Sequence, residues 1–111
     1  MILKFEMIKD KLIVHLIGEL DHHSAEEVRV KIDDRIDNDN INKLILDFGA
    51  VNFMDSSGIG VIVGRYKKIA LKDGSLCVTS IKGNIEKVFE LSGLFKIIDR
   101  YEDVNEAIKS I

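Results

Sequence analysis

Two hydrophobic periodicities take turns along this chain, and the order in which they alternate leaves few folds open to it. Leu3, Phe5 and Met7 alternate with Lys4 and Glu6, and Leu12, Val14 and Leu16 flank Ile13 and His15, which is the two-residue period of strands. The Lys9-Asp10-Lys11 break between them makes the pair a hairpin. Ser24-Ala25-Glu26-Glu27 fits a capping box, with Ser24 as N-cap and Glu27 three residues on, and Ala25, Val28, Ile32 and Ile36 then form one helical stripe. A first helix is expected over roughly residues 24 to 37.

After the polar Asp37-Asn38-Asp39-Asn40, the unbroken apolar run Leu44-Ile45-Leu46 predicts a strand covered on both faces, as in a sheet with parallel neighbours. From Ser57 to about Lys72, Ile59, Ile62, Tyr66 and Ile69 recur at helical spacing. Arg65, Lys67, Lys68 and Lys72 can face water, Asp73-Gly74 supplies a stop, and Gly64 reads as a close-packing position. Leu76-Cys77-Val78-Thr79 is a fourth strand, and Ile85, Val88 and Phe89 give a short helix that Gly93 can end. Phe95-Lys96-Ile97-Ile98 is a brief strand, and Val104, Ala107, Ile108 and Ile111 line a last helix.

The order ββαβαβαβα predicts an α/β fold, a mixed four- to five-stranded sheet with about four helices packed on it. No proline, linker, repeat or low-complexity stretch divides the 111 residues, so one domain is expected over 1–111. Such a chain buries about two-thirds of its unfolded surface without staples.

The composition, 46% hydrophobic and 32% charged, is that of a globular domain and excludes disorder. A net charge of -3, with 16 basic residues scattered among 19 acidic ones, argues against direct binding of DNA. Cys77 is the only cysteine, so the chain cannot build a disulfide or a thiolate metal cluster, and it reads as a buried apolar thiol. No apolar run approaches the ~20 residues that span a bilayer, and Met1 to Glu6 lack the pattern of a signal peptide. No membrane and a cytoplasmic location are the expectation.

The segment Phe53-Met54-Asp55-Ser56-Ser57-Gly58-Ile59-Gly60 sets two hydroxyls between an acid and a glycine, where a strand pattern gives way to a helical one. A helix N-terminus carries unpaired N–H groups and a partial positive charge, so a hydroxyl there can cap the helix when bare and hold a phosphate when modified. Spacing alone favours the cap, on Ser56 or Ser57. Glycines at 58 and 60 relax the turn and equally let a partner's active site approach Ser56.

Enzyme motifs fit poorly. A nucleophile elbow needs glycine two residues before the serine, where Met54 and Asp55 stand. Gly58, Gly60 and Gly64 are spaced one residue too long for a dinucleotide fingerprint, and no acid closes the next strand. His22 and His23 would need a further ligand to hold zinc and read as solvated loop residues. Asp47 lacks the paired acids and late lysine of a receiver domain.

The whole chain resembles the STAS-domain anti-sigma factor antagonists, in particular the sporulation type of spore-forming bacteria. The resemblance is carried by Gly18-Glu19-Leu20-Asp21-His22-His23, by Phe53 through Ile62, by Gly64-Arg65-Tyr66-Lys67 and by Leu91 through Ile98, in order and with similar separation. It covers nearly the full length, and only the tail after Ile98 matches poorly. It implies a single STAS-type domain with no catalysis, metal or cofactor of its own. In that family the bare antagonist binds an anti-sigma factor that is also a serine kinase, and so releases the sigma factor. The kinase then phosphorylates the first serine of the tetrad, here Ser56, and a PP2C-type phosphatase restores it. The implied recognition surface comprises Asp21, Asp55, Ser57, Gly58, Ile59 and Gly60. Two rivals stay open: a nucleotide-binding enzyme using the glycines near Gly58, and a structural subunit of a larger stress-signalling complex.

Overall fold

The structure, a computed structural model, describes residues 1–111. Its elements run β1 (Ile2–Ile8), β2 (Lys11–Leu20), α1 (Ala25–Asn38), β3 (Lys43–Met54), α2 (Ser56–Ala70), β4 (Ser75–Thr79), α3 (Gly83–Ser92), a 3-10 turn (Leu94–Lys96), β5 (Asp99–Tyr101) and α4 (Val104–Ser110). One mixed sheet has the order β1-β2-β3-β4-β5, antiparallel at the hairpin and parallel thereafter. This is the expected fold class.

The alternation of side chains along the strands divides the apolar residues between two faces. Leu12, Val14 and Leu16 of β2, Leu44 and Leu46 of β3, and Leu76 and Val78 of β4 pack with Val28, Ile32 and Ile36 of α1, Val61, Ile62 and Ile69 of α2, and Phe89 of α3. Ile13, Ile45 and Cys77 point the other way, where Ala107 of α4 covers them, with Val104, Ile108, Ile111, Ile8 and Tyr101 packed alongside. Cys77 is the buried apolar thiol expected, and burial, with the Asp99 charge second, pushes it up to about 12.

Several local expectations are corrected. β3 is far longer than Leu44–Leu46 because two register irregularities against β2, after His15 and after Gly18, let it stay paired as far as Met54. The capping box at Ser24 does not form. The Ser24 hydroxyl instead donates to the Glu19 carbonyl at 2.8 Å, and Glu27 pairs with Lys31. The run expected as a strand over 95–98 instead turns helically, the N–H groups of Ile97 and Ile98 both donating to the Leu94 carbonyl at 3.1 and 2.9 Å, which buries Leu94 and Ile98. The left-handed Gly93 (φ 78°) closes α3 as expected, and the last strand is displaced to Asp99–Tyr101.

Arg65 does not face water. It is 6% exposed and its Nε lies 2.8 Å from Asp33 Oδ1 between α1 and α2, an ion pair without the alignment of a hydrogen bond. An added Cβ at Gly64 would meet nothing within 4 Å, so that glycine is not a close-packing position.

Candidate functional site

The site forms where β2 and β3 end side by side, with Glu19 opposite Phe53 and Leu20 opposite Met54. Asp55 leaves β3 in an extended conformation (φ -113°, ψ -168°), and its N–H donates to the Leu20 carbonyl at 3.3 Å. That geometry makes Asp55 the N-cap of α2: its Oδ1 accepts the Ser57 N–H at 2.8 Å. Neither serine is the cap, which corrects the reading of Ser57 or Ser56 in that role. Ser56 becomes the first helical residue, exposed, with a hydroxyl that makes no hydrogen bond within the chain.

Ser57 and Ile59 are half-buried beside it, and Gly60 is exposed with open space above it. Gly58 is different. It is buried, and a Cβ there would lie 2.5 Å from Met54 Cγ and 3.0 Å from the Leu20 carbonyl. Of the six residues expected on the recognition surface, Gly58 therefore presents nothing outward. Its role is to let α2 sit on the end of β2.

The loop between β2 and α1 brings Asp21 to the same end. The Asp21 Oδ1 accepts the N–H groups of His23 (3.0 Å) and Ser24 (3.1 Å), and its carbonyl accepts Ala25 N–H at 2.9 Å, so this aspartate starts α1 in place of the capping box. Desolvation opposes the charge on Asp21, but the Ser24 and His23 N–H groups hold its carboxyl below the ordinary value. Glu19, Asp21, His23, Ser24 and Glu27 line a shallow cleft with Met1 alongside. Ser56 thus follows the capping Asp55 at the end of the sheet from which this acidic loop also leaves.

Two further side chains lie at this end of the fold, and sequence reasoning did not place them there. His22 is exposed, with its ring 3.9 Å from that of His23 and its Nδ1 3.9 Å from Asp55 Oδ2, the oxygen not used for capping. Phe53, the residue before Met54, is 49% exposed. The adjacency of residues 22 and 55 follows from parallel pairing of β2 with β3, and the exposure of Phe53 from the second irregularity of β3. Neither is written in local sequence. Asp47, the residue considered as a receiver-type acceptor, is engaged elsewhere, by His15 Nδ1 (2.7 Å), Gly49 N–H (3.0 Å) and the Thr79 hydroxyl (3.4 Å).

The sequence and fold have counterparts among known proteins. The family model of the STAS domain matches residues 3–107. The chain is 38% identical over 109 residues to the anti-sigma F factor antagonist of Paenibacillus polymyxa, covering 98% of this chain and 93% of that one. It is similar to the structure of the Bacillus cell fate determinant SpoIIAA in the phosphorylated form, with a TM-score of 0.76, 32% identity and 97% of each chain covered. The crystal structure of an anti-sigma factor antagonist from Thermotoga maritima aligns with a TM-score of 0.93 at 27% identity, over 98% of this chain and 93% of that one.

Proposed function

This chain belongs to the STAS domain family, and from that premise we propose that it is an anti-sigma factor antagonist whose binding is gated by phosphorylation of Ser56. The bare protein engages an anti-sigma factor that is also a serine kinase and thereby frees the sigma factor. That kinase esterifies Ser56, and a PP2C-type phosphatase reverses the change. The cycle runs in the cytoplasm; no helix here is long and apolar enough to cross a membrane. A sporulation sigma factor is favoured because the Paenibacillus relative antagonises an anti-sigma F factor.

The observation that carries the reading is the division of labour at the start of α2. Asp55 caps the helix, so the exposed Ser56 hydroxyl is free for chemistry without loss of the cap. A solved phosphorylated form of a relative at 32% identity supports it further.

Phosphorylation adds roughly -1.5 to -2 charges. At a solvated helix N-terminus that charge is tolerated, since the dipole and free N–H groups favour it, so the fold need not change. Inside a closed interface, next to Asp55 and the acidic loop, the same charge must be desolvated against like neighbours. A full reversal of binding requires a differential of about 4–5.5 kcal/mol, within reach of one buried, repelled phosphate. Asp21, Asp55, Ser57, Ile59, Gly60 and the exposed Phe53 and His22 form the surface that a partner covers.

The test is to incubate the chain with its anti-sigma kinase and ATP and to map the product by mass spectrometry. One phosphate on Ser56 is expected. Ser56→Ala removes it while binding persists, and phosphate on Ser57 or elsewhere in that experiment sinks the assignment.

A further inference from the structure

We propose that the outer edge of β1 is a self-association surface that takes up β1 of a second copy of this chain, antiparallel and centred on Phe5. The proposal is independent of the function assigned to Ser56. The sheet order leaves two edges, β5 with three residues and β1 with seven. β1 carries no proline and keeps an unbroken register against β2, so its free side is a regular row of backbone donors and acceptors.

Which residues offer those groups follows from the hairpin. Lys9 and Asp10 form a two-residue turn, with Ile8 opposite Lys11. The pair that flanks such a turn is hydrogen-bonded, and bonded and non-bonded pairs alternate from there. Ile8, Glu6, Lys4 and Ile2 therefore direct their backbone groups at β2, while Leu3, Phe5 and Met7 direct theirs outward.

Two copies related by a twofold axis must match outward-facing residues with each other, so the axis can pass through Lys4, Phe5 or Glu6 with most of the strand paired. An axis at Lys4 sets that lysine against its own copy, and an axis at Glu6 sets two glutamates together; like charges directly opposite are destabilising. An axis at Phe5 pairs all seven residues. Ile2 then meets Ile8, Leu3 meets Met7, Lys4 meets Glu6 and Phe5 meets itself, and the symmetry repeats each unlike pair. Every apolar side chain faces an apolar one and every cation an anion.

The side chains are available for it. Ile2 is 60% exposed and Met7 43% exposed, and both become covered. Lys4 makes no ion pair within the chain, and Glu6 uses only Oε1, at 3.0 Å from His15 Nε2, which leaves its second oxygen for the lysine of the other copy. Charges on a free edge ordinarily discourage pairing. Here their spacing selects one register of the chain with itself.

The experiment is sedimentation equilibrium across protein concentration, with circular dichroism as the control for folding. The parent chain is expected to show a reversible monomer–dimer equilibrium. Lys4→Glu and Glu6→Lys each place like charges at both symmetry-related pairs, and each is expected to weaken the dimer at least about tenfold. The two single variants carry opposite charges along this edge, so an equimolar mixture of them is expected to associate again as a heterodimer. A folding defect in either variant could not yield that rescue. A parent that stays monomeric up to roughly 1 mM, charge reversals without effect, or a mixture that fails to associate each overturns the proposal.

Discussion

Alanine in turn at Gly58, Gly60 and Gly64 separates packing from surface along one helix. All three glycines lie in α2, and alanine exceeds glycine by about 0.8–1 kcal/mol in a helix interior. At Gly60 and Gly64 an added Cβ meets nothing within 4 Å, so propensity acts alone and each substitution should stabilise by about 0.5–1 kcal/mol. At Gly58 the Cβ would lie 2.5 Å from Met54 Cγ and 3.0 Å from both Leu20 Cγ and the Leu20 carbonyl oxygen. Met54 can turn aside, but that carbonyl is fixed in place by the Asp55 N–H at 3.3 Å. Overpacking of this kind costs about 1–3 kcal/mol, which offsets the helix gain and leaves a net change from about zero to a loss of about 2 kcal/mol. Urea unfolding followed by circular dichroism measures all three at a common slope. Gly58→Ala stabilised as much as Gly60→Ala would refute the close approach of α2 to β2, and a destabilised Gly64→Ala would refute the open space over the helix. Gly60→Ala carries a second readout, since it should weaken the anti-sigma partner while Gly64→Ala leaves that complex unchanged.

His15 gives the chain a pH dependence of definite sign. Burial resists its charge, but hydrogen bonds to Glu6 and Asp47, and the charges of those carboxylates, outweigh it and raise its pKa. Lys4, opposite His15 across the hairpin, and Thr79, on the Asp47 carboxylate, complete its surroundings. Because the folded value exceeds the unfolded one, the stabilisation is fully present below about pH 6.5 and fades as pH rises through the folded pKa. The difference in thermal midpoint between the parent and His15→Gln should therefore shrink from acid to mildly alkaline solution; a difference that stays constant counts against the pairing. Asp33→Ala strands the buried Arg65 guanidinium and should cost about 3 kcal/mol in urea unfolding, most of it recovered in Asp33→Ala with Arg65→Met. If single and double variants are equally unstable, the ion pair is not what the first substitution removes.

The order of elements was legible because long periodic segments report their own burial. Val28, Ile32 and Ile36 lie on one face of α1 and are buried, and Leu12, Val14 and Leu16 alternate as β2 requires. What local pattern could not report is what a segment packs against. Arg65 read as a solvent-facing cation because its partner, Asp33, lies on another helix. The run after Gly93 read as a strand because four apolar residues in five suit either period, and what makes it a helical turn is the bonding of the Ile97 and Ile98 N–H groups to the Leu94 carbonyl, which local pattern does not report. The length of β3 was hidden by Asp47, Gly49 and Asn52, polar or small residues within a strand whose register slips twice against β2.

The tetrad Asp55-Ser56-Ser57-Gly58 shows why a helix start visible in the sequence can still have its cap misassigned. Aspartate and serine are both strong N-cap residues, so composition leaves three adjacent candidates. The choice among them is made by the sheet. Met54 is the last residue paired with β2, and the bond from the Asp55 N–H to the Leu20 carbonyl holds Asp55 extended, the conformation an N-cap requires. Burial of Gly58 against Met54 and Leu20 then fixes the rotation of the first turn of α2. With the cap on the carboxylate and the glycine inward, Ser56 is left outward with an unengaged hydroxyl. The free Ser56 hydroxyl is thus a consequence of strand register and one glycine contact, so under the proposed function moving the cap should alter modification without touching the serine. Asp55→Ala, which removes the side chain that accepts the Ser57 N–H, should invite the Ser56 hydroxyl into the vacant cap and slow its phosphorylation even where partner binding is saturated. An unchanged single-turnover rate at saturation would show that freedom of that hydroxyl is irrelevant to the transfer.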